Sequence, residues 1–282
     1  MAWYKKYLKI YERAGGYDQQ VAQRVSNFIH NQKGVEPLIS AVMIAYNERE
    51  HILASLWSLI ENRPHFPFEI VVVDNNSTDG TGELLERAAI PFVKEEKRGP
   101  GHARNRGLAE ARGEFIVTID SDTLYPPRYL EKIYRGLQRE GVVAISSLWS
   151  FIPSKRYPRW KMVPYEFLRD IHLLLLSIKS PERAIRGMVF AHRADLAREV
   201  GGYKTNIKRG EDGSMAYRLK DYGKIKFIIS HHARPFTSTG TLELDGPLRV
   251  LFWRRVKFAV KGIKKFFIAT KGEIEDQESN LL

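Results

Sequence analysis

The sequence predicts an α/β protein built on a mostly parallel central sheet with helices on both faces. Three observations carry this. Short apolar runs rich in β-branched residues alternate with segments of helical periodicity. Three of those runs end in polar clusters, Tyr46-Asn47-Glu48, Asp74–Gly80 and Asp120-Ser121-Asp122. The chain of 282 residues, 43% hydrophobic, is long enough to bury such a core.

Residues 1–36 read as a helical extension, with Val21, Val25, Phe28 and Ile29 at helical spacing and Pro37 as its stop. Leu38–Tyr46 is predicted as a buried strand, His51–Asn62 as a helix and Phe68–Asp74 as a second strand. A helix through Ala89 follows, then a short strand over Pro91–Lys94 and a loop from Lys97 that enters a helix through Arg112. Glu114–Asp120 is a further strand.

Beyond it, Pro126–Glu140 is expected to be helical and Val142–Ser146 extended. Trp149–Pro164, rich in aromatic, proline and basic residues, reads as a loop before a helix over Tyr165–Ile178. A strand over Arg186–His192, helices over Ala194–Val200 and Glu211–Asp221, and a strand over Ile225–Ser230 complete the pattern. The division expected is 1–36, a catalytic domain over 37–246 with halves 37–124 and 125–246, and a basic helix with an acidic tail over 247–282.

With no cysteine, disulfides, thiolate metal sites and cysteine nucleophiles are excluded. No run is long and apolar enough for a membrane span and no export signal is recognisable, so the expected location is the cytoplasm. The net charge is +12, but it gathers at the ends, with seven cations and no acid in residues 248–269. Leu248, Phe252, Val256, Ala259, Val260, Ile263 and Phe267 share one face of a helical wheel there, opposite Arg254, Lys257, Lys261, Lys264 and Lys265. Such a helix suits an anionic membrane surface, and equally a core-packed helix with a solvated basic back.

Ligands of parallel sheets bind at the carboxyl ends of the strands. Asp120 and Asp122, at i and i+2 past a strand, suit Mg²⁺ or Mn²⁺, which favour carboxylate and phosphate oxygens. The bland reading of Asp120-Ser121-Asp122 is a solvated turn; its place after a buried strand favours the site. Asp74, at the end of another strand, is placed to accept hydrogen bonds from a ribose or base edge, or to serve the turn that follows. The segment Lys97–Asn105 joins glycines and cations to a helix start, a setting that favours phosphate. Glu211-Asp212 offers either a general base or ordinary acids of a first helical turn. His231 and His232 follow a strand, and only one of them can face a site at its end.

In order, AYNE, VVVDNNSTDGT, GPGHARNRGLAEARGEFIVTIDSD, RGMVFAHRADLAREVGGY, GED and a late histidine resemble the family 2 glycosyltransferases of the GT-A, Rossmann-like fold, over Ile39 to Arg234. The resemblance implies an inverting transfer of sugar from a nucleoside-diphosphate donor, UDP-sugar first, to an acceptor hydroxyl. The acceptor expected is a saccharide or lipid-linked saccharide of the cell surface. Ala45, Tyr46, Asn47 and Glu48 would line the nucleotide pocket, and Asp74 and Asn76 would contact base or ribose. Arg98, Gly101 and Arg104 would lie near base or diphosphate. Asp120 with Ser121 would face ribose or sugar and Asp122 the divalent metal, and His231, with His232 competing for the place, would contact metal or diphosphate. Asp212, next to Glu211, would be the general base, with Gly187, Gly202 and Tyr203 on the acceptor side. The run Asp74-Asn75-Asn76 departs from the two acidic residues many members carry.

Two rivals are weighed. A sugar-phosphate nucleotidyltransferase would carry a Gly-rich basic loop after its first strand, where this chain has AYNERE. A nucleic-acid binder, or a transferase acting on modified DNA, fits the charge of +12, but no RNA- or DNA-binding motif accompanies it.

Overall fold

The computed structural model describes residues 2–240 except Lys33, together with Leu242, Val250 and Trp253. The basic segment 248–269 and the acidic tail therefore lie, apart from those last two residues, outside the described residues.

Two helices, α1 (Lys5–Tyr11) and α2 (Gln19–Asn31), come first. Asp18 caps α2, its Oδ1 accepting from the Val21 amide at 3.1 Å. Then β1 (Ile39–Ala45), α3 (Ile52–Ile60), β2 (Phe68–Asp74), α4 (Thr81–Arg87), β3 (Val93–Lys94), α5 (Pro100–Glu110) and β4 (Phe115–Asp120) alternate. The second half runs β5 (Thr123–Leu124), α6 (Tyr129–Leu137), β6 (Val142–Ser147), β7 (Ser150–Phe151), α7 (Arg159–Lys179), β8 (Ala191–Arg193), α8 (Ala194–Glu199), α9 (Glu211–Leu219), β9 (Lys224–Ile228) and β10 (Phe236–Thr237). Short 3₁₀ turns cover Pro181–Ala184, Gly187–Val189 and His231–Ala233.

The main sheet has the order β3-β2-β1-β4-β8-β6-β9. Its pairings are parallel except those of β8, which runs antiparallel to both β4 and β6. The alternation of side chains sorts the core into two layers. Ala41 and Met43 of β1, with Phe115, Val117 and Ile119 of β4, meet α1, α2, α3 and α6; Val42 and Ile116 meet α5, α8 and α9. Both faces are thus covered, and the strands read as continuous apolar runs for that reason. The N-terminal helices belong to the first layer, with Tyr7, Ile10 and Val25 fully buried in it.

Among the described residues, no helix is long and apolar enough to cross a membrane. The segment read as a loop over Trp149–Pro164 instead holds β7 and the start of α7. Pro164 suggested a loop, but it sits in the second turn of α7, where the lost amide costs one bond near the helix end. Strand and 3₁₀ turn likewise share the predicted strand over Arg186–His192.

The amino end of β4 is pinned by one buried acid. Glu69 accepts from Ser40 Oγ at 2.6 Å, from the Arg112 amide at 2.8 Å, and from Arg112 Nε and Nη2 at 2.9 and 2.8 Å. Ser40 Oγ in turn accepts from the Gly113 amide at 2.8 Å. Glu69→Ala strands these donors, and urea denaturation is expected to show a loss of about 2–3 kcal/mol, because buried donors lose a charged acceptor.

Candidate active site

The carboxyl ends of β1, β2 and β4 finish level. Ala45 pairs with Asp74, and Ile44 with Asp120. The loops that leave these ends frame a cleft of about 570 Å³, a size suited to a small ligand.

Its floor is organised by Arg104. This side chain rises from α5 and is only 3% exposed. Its Nη2 lies 3.3 Å from Asp120 Oδ1, and its Nε lies 3.2 Å from Glu211 Oε1 and 3.0 Å from Asp212 Oδ1. The Nε hydrogen bond goes to Glu211; Asp212 Oδ1 is close but misaligned and takes no hydrogen bond. Gly210, with φ at 100°, makes the turn that starts α9 and delivers both acids to the cleft. Gly187 closes the other side. A Cβ there would meet the Arg104 guanidinium and stand 2.6 Å from Asp212 Oδ2, so only glycine fits.

Burial dominates the protonation of this floor. It pushes the Asp212 carboxyl well above its usual range; Arg104 opposes this, and the charges of Glu211 and Asp120 reinforce it. Burial likewise pushes Asp120 up to about 6, with Arg104 pulling it back and Asp122 adding to the rise. Glu48, at the start of the loop after β1, is also pushed to about 6 by burial, against the pull of its hydrogen bond with His51 at 2.8 Å. Burial alone would lower His51, but that hydrogen bond and the charge of Glu48 raise it.

Asp122 is set by contacts from far along the chain. Thr123 Oγ1 lies 3.0 Å and Thr237 Oγ1 3.3 Å from its Oδ1, and Ser238 Oγ donates to its Oδ2. The Tyr11 hydroxyl, from α1, donates to the Asp122 carbonyl at 2.7 Å. Sequence reasoning missed Tyr11, Thr237 and Ser238, because nothing local links them to residue 122.

At the other end of the cleft, the Arg98 guanidinium lies 5.4 Å from the centroid of the Tyr46 ring, which is half exposed. The pair makes a flat cationic ledge. Asn75 holds the Arg98 loop. Its Nδ2 donates to the carbonyls of Glu95 and Lys97 at 3.2 and 2.7 Å, and its Oδ1 accepts from the Gly99 amide at 2.8 Å. Asn75 lines the cleft and was read only as part of a polar run; its place directly after a strand was the available signal. Arg186, Met188, Lys208 and Arg209 also line it and were not singled out.

Of the residues expected, Ala45, Tyr46, Glu48, Arg98, Arg104, Asp120, Ser121, Asp122, Gly187, Glu211 and Asp212 line the cleft together. The others stand outside its lining. Asn47 braces two loops, its amide donating to Ser77 Oγ at 3.0 Å and its Oδ1 accepting from the Thr78 amide at 2.8 Å. Asp74 is buried and accepts from the Ser77 amide at 3.2 Å. Asn76 is exposed at φ 59° and donates to the Glu96 carbonyl at 3.3 Å. Gly101 lets α5 pack against the Lys204 carbonyl.

Three of the expected residues, Gly202, Tyr203 and His231, stand away from the cleft. Gly202 and Tyr203 are packing residues: a Cβ at Gly202 would strike Asn105, whose Oδ1 accepts from the Tyr203 amide at 2.7 Å. The Tyr203 hydroxyl is buried 2.7 Å from His192 Nε2 and does not face the cleft. His231 is exposed, its ring 3.8 Å from that of His232 beside α6. The chain turns there and returns through β10, so Thr237 and Ser238 reach Asp122 where His231 was expected. Among the described residues, no group of three His, Asp or Glu side chains is placed to hold a metal ion.

The family model described as Glycosyl transferase family 2 matches residues 40–194. The glycosyltransferase AglE of Haloferax volcanii is 24% identical over 212 residues, which cover 71% of this chain and 68% of that protein. The uncharacterized glycosyltransferase YfnE of Bacillus subtilis is 34% identical over 128 residues, 43% of this chain, but the match spans only 33% of its length. The fold resembles that of the mannosyltransferase PcManGT from Pyrobaculum calidifontis, solved with GDP-Man and Mn²⁺, with a TM-score of 0.55 at 22% identity, covering 95% of this chain and 77% of that one. It also resembles S. aureus TarS in complex with UDP-GlcNAc, with a TM-score of 0.53 at 21% identity, covering 71% and 58%.

Replacing Arg104 by methionine leaves three carboxylates crowded without their cation. The expected loss at pH 7 is about 3 kcal/mol or more. It shrinks toward pH 5, because protonation relieves Asp120 and Asp212, whose folded values already lie above the unfolded ones. Urea denaturation of the two proteins at both pH values checks this.

Proposed function

This chain belongs to glycosyl transferase family 2, and we propose that it transfers a sugar from a nucleoside-diphosphate donor to an acceptor hydroxyl with inversion at the anomeric carbon. The observation that carries the reading is the Arg104 cluster, in which the acid that ends β4 and the acid pair heading α9 face one cleft at the carboxyl ends of the strands.

The ledge of Tyr46 and Arg98 suits the base and diphosphate of the donor. Asp120 and Ser121 contact its ribose or sugar. Asp212 takes the proton of the attacking hydroxyl as its oxygen bonds to the anomeric carbon and the nucleoside diphosphate departs. A raised carboxyl is a better proton acceptor than an ordinary one, provided that it is ionised when the acceptor arrives. Glu211, held by the Arg104 Nε, fixes the orientation of the start of α9 and keeps charge beside Asp212.

Asp122, with Asp120 two residues before it, offers the hard oxygen donors that Mn²⁺ and Mg²⁺ favour, leaving other positions for phosphate oxygens and water. Such an ion, when bound, supplies positive charge against the departing diphosphate. UDP-sugars are the first donors to test, with a GDP-sugar beside them. The acceptor proposed is a saccharide or lipid-linked saccharide of a surface polysaccharide. The relative TuaG of Bacillus subtilis, named for teichuronic acid biosynthesis and 34% identical over 105 residues, supports this acceptor class.

The test is nucleotide release and donor binding across UDP-, GDP- and dTDP-sugars with Mn²⁺, Mg²⁺ or EDTA. Asp212→Asn is expected to lose about 10²–10⁴-fold in turnover while binding donor as before. Full turnover in that variant removes Asp212 from its role. Asp122→Ala is expected to abolish the dependence of donor binding on the ion.

The rate should also fall in acid. Both Asp120 and Asp212 act ionised and both are raised, so kcat/KM is expected to drop as pH decreases through about 6 and to level off above. A flat profile between pH 5 and 8 contradicts this assignment.

A further inference from the structure

The helix α7 is turned inside out with respect to water. Its charged residues Glu166, Arg169 and Asp170 face inward and are buried. Glu166 accepts from Ser150 Oγ at 3.0 Å, from the Phe151 amide at 2.9 Å and from Arg159 Nη1 at 2.7 Å. Arg169 pairs with Asp170 at 2.7 Å, and Asp170 with Arg234. The outward face holds Trp160, Val163, Phe167, Ile171, Leu175 and Ile178, at steps of three and four residues. Trp160 is 71%, Phe167 63% and Ile178 77% exposed.

These six make up half of the large exposed hydrophobic side chains among the described residues. They form one stripe along a helix of 21 residues, about 30 Å long. A continuous apolar face of that length marks a contact surface.

The charge around the stripe selects the partner. Every exposed charged residue between 154 and 179 is basic: Lys155, Arg156, Lys161 and Lys179. No acid among these residues is exposed, since Glu166 and Asp170 are spent on inward bonds. Lys161 lies 5.1 Å from the centroid of the Trp160 ring, so an aromatic and a cation sit together at one end. Apolar side chains flanked by cations, with tryptophan at the margin, match the boundary between acyl chains and anionic headgroups.

We propose that α7 seats the protein on an anionic lipid surface, with the stripe from Trp160 to Ile178 among the upper acyl chains and the flanking lysines at the headgroups. The buried ion pairs on the other face hold the helix to the body of the protein while it lies there. The proposal is independent of the catalytic reading and of the basic segment 248–269.

Flotation of the full chain with vesicles tests it. The wild type is expected to float with phosphatidylglycerol–phosphatidylcholine vesicles and to do so less with phosphatidylcholine alone or in high salt. Phe167→Ser with Ile178→Ser is expected to lower that partitioning about tenfold or more. Both positions are exposed, so the melting temperature should stay unchanged, and donor binding serves as a second check on folding. Lys257→Gln with Lys261→Gln, in the other basic segment, should leave a substantial part of the binding. Failure of the wild type to bind any vesicle overturns the proposal, as does unchanged flotation of the α7 variant. Binding abolished by the lysine changes alone overturns it too. A lipid-free dimer that the α7 variant dissociates would instead make the stripe a contact between copies.

Discussion

The arrangement of the cleft depends on one buried cation. Arg104 comes from α5, Asp120 from the end of β4, and Glu211 and Asp212 from the head of α9. Arg104 and Glu211 stand 107 residues apart, and a single planar group that offers donors in several directions joins α9 to the consecutive pair α5 and β4. Three carboxylates against one guanidinium leave the floor short of positive charge. Burial then makes ionisation costly, which is why Asp120 and Asp212 both hold their protons more tightly than ordinary aspartates. The same crowding explains the missing side chain at Gly187.

Much of this was legible in the sequence, and the legible part shares a cause. The strands β1, β2 and β4 are covered on both faces, so each appears as an unbroken apolar run, and the polar residue that ends it marks the mouth of the cleft. Asp120, Asp122, Glu211 and Asp212 could be found because they stand next to such ends or to a glycine turn. What sequence could not give was direction. Gly202 and Tyr203 lie near the cleft in order but face α5, where Asn105 grips the Tyr203 backbone. His231 sits at the end of β9, yet one 3₁₀ turn sends its ring to the surface.

Contacts between remote residues were illegible for a different reason. Tyr11, Thr237 and Ser238 meet Asp122 across more than a hundred residues, and their types are ordinary for a core-packed helix and for a short strand and its exit. The prolines around residue 160 misled in the opposite way. They signal a loop, but the inward acids and arginines of α7 gain enough from their mutual bonds to carry the helix past Pro164.

The seat of Asp122 has a consequence for the order in which the protein comes into being. Tyr4 stacks on Phe236 with ring centroids 4.3 Å apart, so the first helix and β10 clasp each other over the loop that bears this acid. A chain emerging from the ribosome presents Asp122 long before Thr237 and Ser238 exist outside the tunnel. The amino-terminal half can form its parallel strands early, but its acid stays unfastened until nearly the whole described chain has been made. Synthesis thus leaves the seat of Asp122 incomplete in partial products until Thr237 and Ser238 arrive.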